Sequence, residues 1–405
     1  MPIIVINIER SEEMMHFSIL LSLEVCVLLG AALLLCVVVI VWTARRHNAI
    51  KRASAASESA ETTDTLAPAT VIVYCHNQGA QLQRFLPYLL NQNYPKYEVI
   101  VVNDSSIDNT AEVISNFLVE YSNLRQTFIP DGSRNVSRRK LAIMLGIKAA
   151  RHELIVVTNA NCCPAGPNWL MNMCRNFTEG TDVVIGYAAP RYKKDKRFGA
   201  NFRVYDTVTE SVQYLACDIN GYPFRGTNNN LAYRRSTFFA NNGFQRTVML
   251  HYGDDDLFVS EIANADNTRV ELSSDSMMTV FCNDYKAEHA ELKLRHGFTA
   301  KQLRRWPFIS SSIISACQYL ALGSLAAAVA LDWRNILTIS VAAVILLAYW
   351  ITIIVLFRGN AKRLKAPKMH IGVPFYSLWR PLVNMCYTLR GYRLRETNFT
   401  WQRLK

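Results

Sequence analysis

The chain has 405 residues, of which 50% are hydrophobic, and it carries a net charge of +12. This length accommodates one large domain together with membrane-spanning segments. The cysteines match neither a disulfide framework nor a zinc-ligand spacing, so we expect reduced thiols in a cytosolic compartment. No nucleic-acid motif accompanies the positive charge, which excludes nucleic acid as the expected partner and favours anionic membrane lipids.

The first predicted element is a membrane-spanning helix over residues 17–42. Glu24 is the only charge in this run, which is long enough to cross a bilayer of about 30 Å. The segment before the span is acidic, whereas Arg45 and Arg46 follow it. Because basic flanks favour the cytoplasmic side, we expect residues 1–52 to form an anchor whose N-terminus lies outside the cytoplasm.

A polar segment over residues 53–69 has no periodicity and predicts a flexible linker. The next stretch predicts a strand, a helix and a second strand. Residues 71–73 are β-branched, residues 81–91 have apolar side chains at helical spacing, and residues 97–102 are again strand-like. The second strand runs into Asp104, at the edge where open α/β sheets bind ligands.

The chain then continues to alternate helices with strands. The predicted elements are a helix at 111–121, a strand at 124–129, a helix at 136–151, strands at 154–157 and 183–187, and a helix at 202–215. This alternation predicts an α/β fold with a mostly parallel sheet and flanking helices. Two asparagines, Asn159 and Asn161, follow the strand at 154–157.

These residues resemble the nucleotide-binding half of the family 2 glycosyltransferases. The matching stretches are LLNQNYP at residues 89–95 and VVNDSSIDNT at residues 101–110. The resemblance implies a cytosolic domain with the GT-A fold over residues 70–308, in which Asp104 contacts the base and ribose of a nucleotide-sugar. Asn103 stands where the family usually has a first aspartate.

The family's metal motif, two aspartates separated by one residue, is altered here. In the family these carboxylates hold Mg²⁺ or Mn²⁺ against the donor diphosphate, and Asn159 and Asn161 occupy both positions in this chain. An amide lacks the carboxylate's full charge, which at about 4 Å and an effective dielectric of about 20 removes about 4 kcal/mol per ligand. The exchange therefore disfavours ordinary Mg²⁺ or Mn²⁺ binding at these positions.

An acidic triplet, Asp254–Asp256, resembles the family element that supplies the general base. Alignment from Leu257 makes Asp254 the base, and Asp255 is the alternative if the motif is read one place later. An inverting transfer needs a carboxylate that takes the proton of the attacking hydroxyl. The triplet also has the composition of an N-cap for the helix predicted at 257–263, and the two roles are compatible.

Four further residues match binding positions of the family. Asn230 aligns with an asparagine of the acceptor-side strand, and Gln302, Arg305 and Trp306 match the Q-x-x-R-W element of membrane-bound synthases. The resemblance implies that the arginine faces the diphosphate and the tryptophan lies at the acceptor end, although basic and aromatic residues also flank ordinary spans. We expect Arg305 and Lys140 to supply the counter-charge that the asparagines lack.

The C-terminal part predicts a transmembrane hairpin over residues 309–357, with spans at 309–333 and 336–357. Residues 358–405 are basic and amphipathic, and predict a cytosolic tail on the inner membrane surface. The basic flanks of the first and third spans predict a multi-pass protein of the plasma (inner) membrane with a cytoplasmic catalytic domain.

The resemblance to the family implies an inverting glycosyltransferase that uses a UDP- or GDP-linked sugar, and the predicted spans favour a lipid-linked or membrane-proximal acceptor. Three spans favour a single transfer over processive synthesis and export. The alternative is a catalytically degenerate relative that serves as a binding or scaffolding partner in a membrane glycan assembly. Asn103, Asn159 and Asn161 support that alternative, whereas the intact Asp104 and Asp254 argue against it.

Overall fold

The computed structural model describes residues 21–61, 66–129, 136–191, 199–369 and 372–393. Three parts of the predicted organisation lie outside these residues: the acidic N-terminal flank with the beginning of the first span, a short piece of the linker, and the end of the tail.

Helices and strands alternate through the domain, as the sequence predicts. Among the described residues the helices are α1 (Leu23–Ser59), α2 (Gly79–Leu90), α3 (Thr110–Glu120), α4 (Arg138–Ala149), α5 (Trp169–Cys174), α6 (Ala200–Ile219), α7 (Arg235–Ala240), α8 (Asp256–Ile262), α9 (Tyr285–Thr299), α10 (Trp306–Leu331), α11 (Ile336–Arg363) and α12 (Val373–Tyr392). The strands are β1 (Ala69–Cys75), β2 (Tyr97–Asn103), β3 (Leu124–Phe128), β4 (Leu154–Asn159), β5 (Cys162–Pro164), β6 (Val183–Gly186), β7 (Ala188–Pro190), β8 (Leu231–Arg234), β9 (Thr268–Glu271) and β10 (Met278–Val280).

The central sheet has seven strands in the order β3-β2-β1-β4-β8-β6-β9. β1 pairs in parallel with both β2 and β4, whereas β8 runs antiparallel to β4 and β6. The carboxyl ends of β1, β2 and β4 therefore meet at one edge, where Tyr74, Asn103 and Asn159 stand. A smaller sheet has the order β5-β10-β7. The predicted α/β fold with a mostly parallel sheet is confirmed.

Both faces of β1 are buried, which explains its uninterrupted apolar run. Val71 and Val73 belong to a core that includes α2 and α5, while Ile72 and Tyr74 belong to the opposite core with α4 and α6. Each such valine or isoleucine, fully withdrawn from water, contributes roughly 1.5–3 kcal/mol. This two-sided burial holds the sheet edge in place.

Three helices are long and apolar enough to cross a membrane: α1, α10 and α11. α1 packs against both α10 and α11, and also against α6 of the domain. α10 and α11 exceed the predicted spans, since α10 begins at Trp306 and α11 continues to Arg363. α6 thus joins the α/β domain to the apolar bundle.

The predicted flexible linker over residues 53–69 is wrong in its first part, because α1 continues without a break to Ser59. The hydroxyl of Ser57 accepts a hydrogen bond from the backbone N–H of Leu272 at 3.1 Å, and Arg175 donates to the carbonyl of Ala60 at 2.8 Å. These contacts fix a segment whose alanines and glutamate already favour helix. α1 is therefore a rigid connection between the bundle and the domain.

The predicted amphipathic tail forms α12, which packs closely on α9. A Cβ added at Gly297 would lie 2.6 Å from the carbonyl oxygen of Tyr387, and one at Gly391 would collide with the backbone of Gly297 and Phe298. Only glycine at these two positions permits this approach. The two backbones therefore touch, and α12 is fastened to the domain.

We predict that Gly297→Ala lowers the free energy of unfolding by about 1–3 kcal/mol, because the new methyl group must push α12 away from α9. Gly323→Ala in α10 is the matched control, since a Cβ there meets nothing within 4 Å. Thermal unfolding of the two variants in detergent measures the difference. Equal midpoints would contradict the close packing of α9 and α12.

Candidate active site

A cavity of about 390 Å³ lies at the carboxyl ends of β1 and β4. Tyr74 and Asn159 are neighbours across these strands and line the cavity from the sheet, with Asn161 just beyond them. α6 and α9 form another wall. Both the volume, within the range of about 300–1,000 Å³ for small-molecule sites, and the sheet-edge position suit a ligand site.

Asp254, the predicted base, is buried and does not line this cavity. Its carboxylate lies 2.6 Å from Nε of Arg139 and 3.2 Å from Nη2 of Arg295, and it accepts a hydrogen bond from Nδ2 of Asn228 at 2.8 Å. Burial opposes ionisation, but the two guanidinium groups outweigh it and hold the pKa of Asp254 well below its usual range. A carboxylate so neutralised is a poor proton acceptor.

Asp255, the alternative in the sequence, lines the cavity and keeps 17% of its side chain exposed. Burial and the adjacent charge of Asp254 raise the pKa of Asp255 to about 6. Its carboxylate also accepts a hydrogen bond from the backbone N–H of Asp256 at 2.8 Å and caps α8. The geometry thus favours Asp255 over Asp254 as the base, and the predicted cap accompanies that role.

The two asparagines of the altered metal motif both line the cavity. Oδ1 of Asn159 accepts a hydrogen bond from Nη2 of Arg139 at 3.0 Å, and Nδ2 of Asn159 donates to Asn229. Nδ2 of Asn161 donates to the carbonyl of Phe281 at 3.4 Å. The amide oxygen of Asn159 is therefore already bound to a guanidinium.

The residues present do not fit a divalent metal. Mg²⁺ and Mn²⁺ require several hard oxygen ligands, usually including a carboxylate. Arg139 occupies the space between Asn159 and Asp254, with its guanidinium 5.2 Å from the ring centre of Tyr74. Within the described ranges, no three His, Cys, Asp or Glu side chains come together as a metal site. The Arg139 guanidinium therefore lies beside Asn159, one of the two residues predicted to stand at the metal motif.

Further cations line the cavity from α9 and from the segment before β8. Arg225 bonds to Glu210 at 2.9 Å, while its Nη2 is buried without a hydrogen-bond partner among the described residues. Lys293 lies 2.9 Å from Glu210. An unsatisfied buried guanidinium N–H in a cavity wall is a ready donor for an anionic ligand.

Asp104, predicted to bind the nucleotide, is fully buried and does not line the cavity. Arg138 lies 2.5 Å from its carboxylate, and the hydroxyl of Tyr74 donates to it at 2.8 Å. In this conformation the carboxylate of Asp104 is therefore bonded inside the protein, where it connects α4 to the end of β1.

Lys140, predicted to face the diphosphate, is also fully buried. Its ammonium group donates to the carbonyls of Thr247 at 2.5 Å, Leu250 at 3.3 Å and Tyr252 at 2.9 Å. Burial lowers the pKa of Lys140 to about 8, against the attraction of nearby Asp254. Lys140 therefore holds the loop before the acidic triplet, and it does not line the cavity.

Asn230 has an equally structural position. Its amide accepts a hydrogen bond from the indole of Trp169 at 3.0 Å and donates to the carbonyls of Tyr187 at 3.0 Å and Ser276 at 2.9 Å. Both amide hydrogens and the side-chain oxygen of Asn230 are thus bonded inside the protein, and Asn230 does not line the cavity. Its neighbour Asn229 does line the cavity.

The predicted Q-x-x-R-W residues do not line the cavity either. Gln302, Arg305 and Trp306 are exposed in the turn between α9 and the start of α10, and Trp306 is 56% exposed. This position at the end of an apolar helix agrees with the alternative interpretation of an aromatic and basic membrane flank. The structure does not bring this element together with the asparagines or with Asp255.

Sequence reasoning missed the cations that the cavity contains. Arg139, Arg225 and Arg295 carry no local pattern, because their partners are far away in the chain. A signal did exist in α9, where His289, Lys293 and His296 recur at helical spacing and all line the cavity. Their acidic partners also lie one turn apart on α6. Two complementary charged faces at helical spacing indicate packed helices.

Comparisons with known proteins agree with the fold described above. Residues 70–241 match the family model Glycosyl transferase family 2. Glycosyltransferase AglE of Haloferax volcanii is 29% identical over 150 residues, covering 36% of this chain and 47% of AglE. Poly-beta-1,6-N-acetyl-D-glucosamine synthase of Staphylococcus epidermidis is 34% identical over 91 residues, covering 22% of this chain and 21% of the synthase. The matches thus span less than half the length of these relatives.

Among solved structures, mannosyltransferase PcManGT from Pyrobaculum calidifontis, in complex with GDP-Man and Mn²⁺, is similar over most of its length. The structural match covers 88% of this chain and 99% of PcManGT at 17% identity, with a TM-score of 0.53. At this identity the likeness shows the fold, and it confirms the predicted GT-A class. The chain thus combines a match to the Glycosyl transferase family 2 model over residues 70–241 with a GT-A-like α/β fold.

Proposed function

We propose that this chain is a membrane-anchored, inverting glycosyltransferase that uses a UDP- or GDP-linked sugar. The observation that carries the proposal is the meeting of one poised carboxylate with several guanidinium groups in a single cavity at the sheet edge. Asp255 provides the carboxylate, and Arg139 and Arg225 line the same cavity. PcManGT, which has the same fold, is in complex with GDP-Man, and this supports a nucleotide-sugar donor.

The proposed chemistry divides between these groups. The acceptor hydroxyl attacks the anomeric carbon and forms the new glycosidic bond, while the bond from that carbon to the diphosphate breaks. Asp255 takes the hydroxyl proton, which requires its carboxylate to be ionised. The nucleoside diphosphate leaves with its electron pair and added negative charge. Backside attack of this kind inverts the anomeric configuration.

The leaving diphosphate is stabilised by side chains in this proposal. Guanidinium groups donate paired N–H groups to phosphate oxygens, and a cavity that excludes water strengthens these bonds. Arg139 and Arg225 therefore replace Arg305 and Lys140, the counter-charges expected from the sequence, because only the former pair lines the cavity. We expect donor binding with little dependence on Mg²⁺ or Mn²⁺.

The proposed position of the domain at the membrane surface indicates the kind of acceptor. α1, α10 and α11 have the length and composition of spans, and they pack directly against the domain. We propose that they cross the plasma (inner) membrane with the domain on the cytoplasmic side, where basic residues follow α1 and end α11. A lipid-linked or membrane-proximal acceptor then reaches the domain by lateral diffusion.

A second candidate, a binding or scaffolding partner without catalysis, also has specific support. Asp104 and Asp254 are both bound to arginines of the protein itself, which leaves neither carboxylate available to a ligand in this conformation. Such internal pairing is what we expect of a domain that no longer binds a substrate. Donor binding separates the two candidates, because a degenerate scaffold binds no nucleotide-sugar.

For the base, we predict that Asp255→Asn lowers turnover by about 10²–10⁴-fold while donor affinity changes little. Asparagine still caps α8, so the fold is preserved. Wild-type turnover should rise with pH through about 6, since Asp255 must lose its proton to act as the base. Initial rates across a pH series with a UDP- or GDP-linked sugar measure both effects.

Asp254→Asn is the companion variant, and it should mainly reduce stability because it removes the carboxylate shared by the partly buried Arg139 and Arg295, leaving Arg295 only the 3.6 Å contact with Asp255. Near-normal turnover in both variants would show that neither aspartate is the base, and that the acidic triplet serves only as a helix cap.

For the diphosphate, we predict that calorimetric donor affinity is unchanged by a chelator and falls about tenfold or more in Arg225→Gln, because each charged hydrogen bond contributes roughly 1.5–3 kcal/mol. Arg305→Gln is the matched control outside the cavity and should bind normally. Chelator-sensitive binding would show that the asparagines hold a metal, and no binding of any nucleotide-sugar would favour the scaffold.

For topology, we predict that a cysteine replacing Trp333 in the α10–α11 turn reacts with an impermeant reagent on intact cells, while one replacing Ala55 in α1 does not. Both positions are exposed on the protein, so accessibility depends on the membrane. Replacing the exposed Cys26 and Cys386 by serine lowers the background. Labelling at position 55 in intact cells would overturn the cytoplasmic placement.

A further inference from the structure

A second cavity, of about 140 Å³, lies among the apolar helices on the other side of α6. Its walls come from α1, α6, α10, α11 and α12. α6 separates the two cavities: Tyr205 and Thr209 line the second one, whereas Thr207 and Glu210 line the candidate active site. The second cavity is thus a separate space between the domain and the bundle.

The level of this cavity along the bundle is defined by its lining residues. Trp42 and Arg46 stand where the apolar part of α1 gives way to basic residues. Ser311 lies near the start of α10, and Phe357 and Asn360 lie near the end of α11, where it also becomes basic. In a membrane-spanning bundle this is the depth of the lipid headgroups on the domain side.

The cavity has positive charge without a matching carboxylate. Among its lining residues, all within the described part of the chain, those that carry charge at neutral pH are two arginines, Arg46 and Arg380. Nε of Arg380 lies 2.7 Å from Asp206, which belongs to α6 but does not line the cavity. Arg46 has no carboxylate within 4.0 Å among the described residues. Arg46 is therefore the uncompensated cation.

The contacts of Arg46 leave donors available. Its Nη2 donates to the hydroxyl of Ser311 at 3.3 Å, and its guanidinium lies 5.1 Å from the ring centre of Trp42. The indole Nε1 of Trp42 is itself buried and has no hydrogen-bond partner within the described ranges. A partly buried cation and a buried N–H both gain from an anionic acceptor in the space between them.

We infer that this cavity binds the phosphate headgroup of an anionic membrane lipid, with Arg46 as its main cation and the indole of Trp42 as a further donor. Guanidinium groups suit phosphate oxygens, and basic pockets between membrane helices on the cytoplasmic side are suited to anionic headgroups. The inference rests on the proposed placement of α1, α10 and α11 in the membrane. It adds a lipid site that is distinct from the donor cavity.

The test uses the full chain purified in detergent with a mixture of phosphatidylglycerol and phosphatidylcholine, and native mass spectrometry to count bound lipids. We expect one retained phosphatidylglycerol per chain, reduced about tenfold in Arg46→Gln, as the loss of a charged hydrogen bond predicts. Arg46→Lys keeps the charge and should retain part of the binding. Arg45→Gln is the matched control, because Arg45 is the exposed neighbour outside the cavity.

Three outcomes would overturn the inference. Equal retention in Arg46→Gln and Arg45→Gln would show that the lipid does not use this cavity, and equal retention of phosphatidylcholine would show that charge does not select it. Displacement of the lipid by millimolar inorganic phosphate would assign the cavity to a free anion. Failure of the chain to fractionate with membranes would instead refute the proposed membrane placement. This result distinguishes failure of the proposed function from failure of the lipid site.

Discussion

The candidate site depends on one partly buried guanidinium. Arg139, near the start of α4, lies between Asp254 and the amide of Asn159 and stacks on Tyr74. It therefore joins β1, β4, α4 and the segment before α8 at a single point. Removing one member of a buried ion pair costs about 3–5 kcal/mol, since the remaining charge stays in a low-dielectric environment. This arrangement fixes the sheet edge and places a guanidinium beside Asn159, where the sequence predicted the metal motif.

The same arrangement gives two adjacent aspartates different roles. Asp254 is paired with Arg139 and Arg295 and serves the structure, whereas Asp255 faces the cavity with a raised pKa of about 6. Adjacent carboxylates that differ in this way are typical of sites in which one group holds charge and the other exchanges protons. Burial and neighbouring cations, rather than residue type, decide which carboxylate is free to react.

Much of the fold was predictable, because its signals are local. Runs such as residues 71–73 and the alternation with amphipathic helices identified the sheet, and the ends of its strands located Asn159 and Asn161. The site residues were harder to identify. Lys140 and Asn230 are each one position away from a cavity-lining residue, Arg139 and Asn229, and of the two aspartates predicted for the base only Asp255 lines the cavity. Neighbouring residues point about 100° apart on a helix and to opposite faces of a strand, so only the packing selects between them. Helix α1 was underestimated over residues 53–59 for the same reason, since contacts with Leu272, just after β9, and with Arg175, just after α5, stabilise it.

The central claim is that a fixed guanidinium takes the place of a divalent metal in this domain. Electron paramagnetic resonance of Mn²⁺, titrated into the full chain with and without a UDP- or GDP-linked sugar, tests it most directly because it detects bound metal without requiring turnover. The account predicts that the protein adds no Mn²⁺ binding beyond that of the nucleotide itself, in wild type and in Asn159→Ala alike. A stoichiometric protein-bound Mn²⁺ signal that disappears in Asn159→Ala would contradict it.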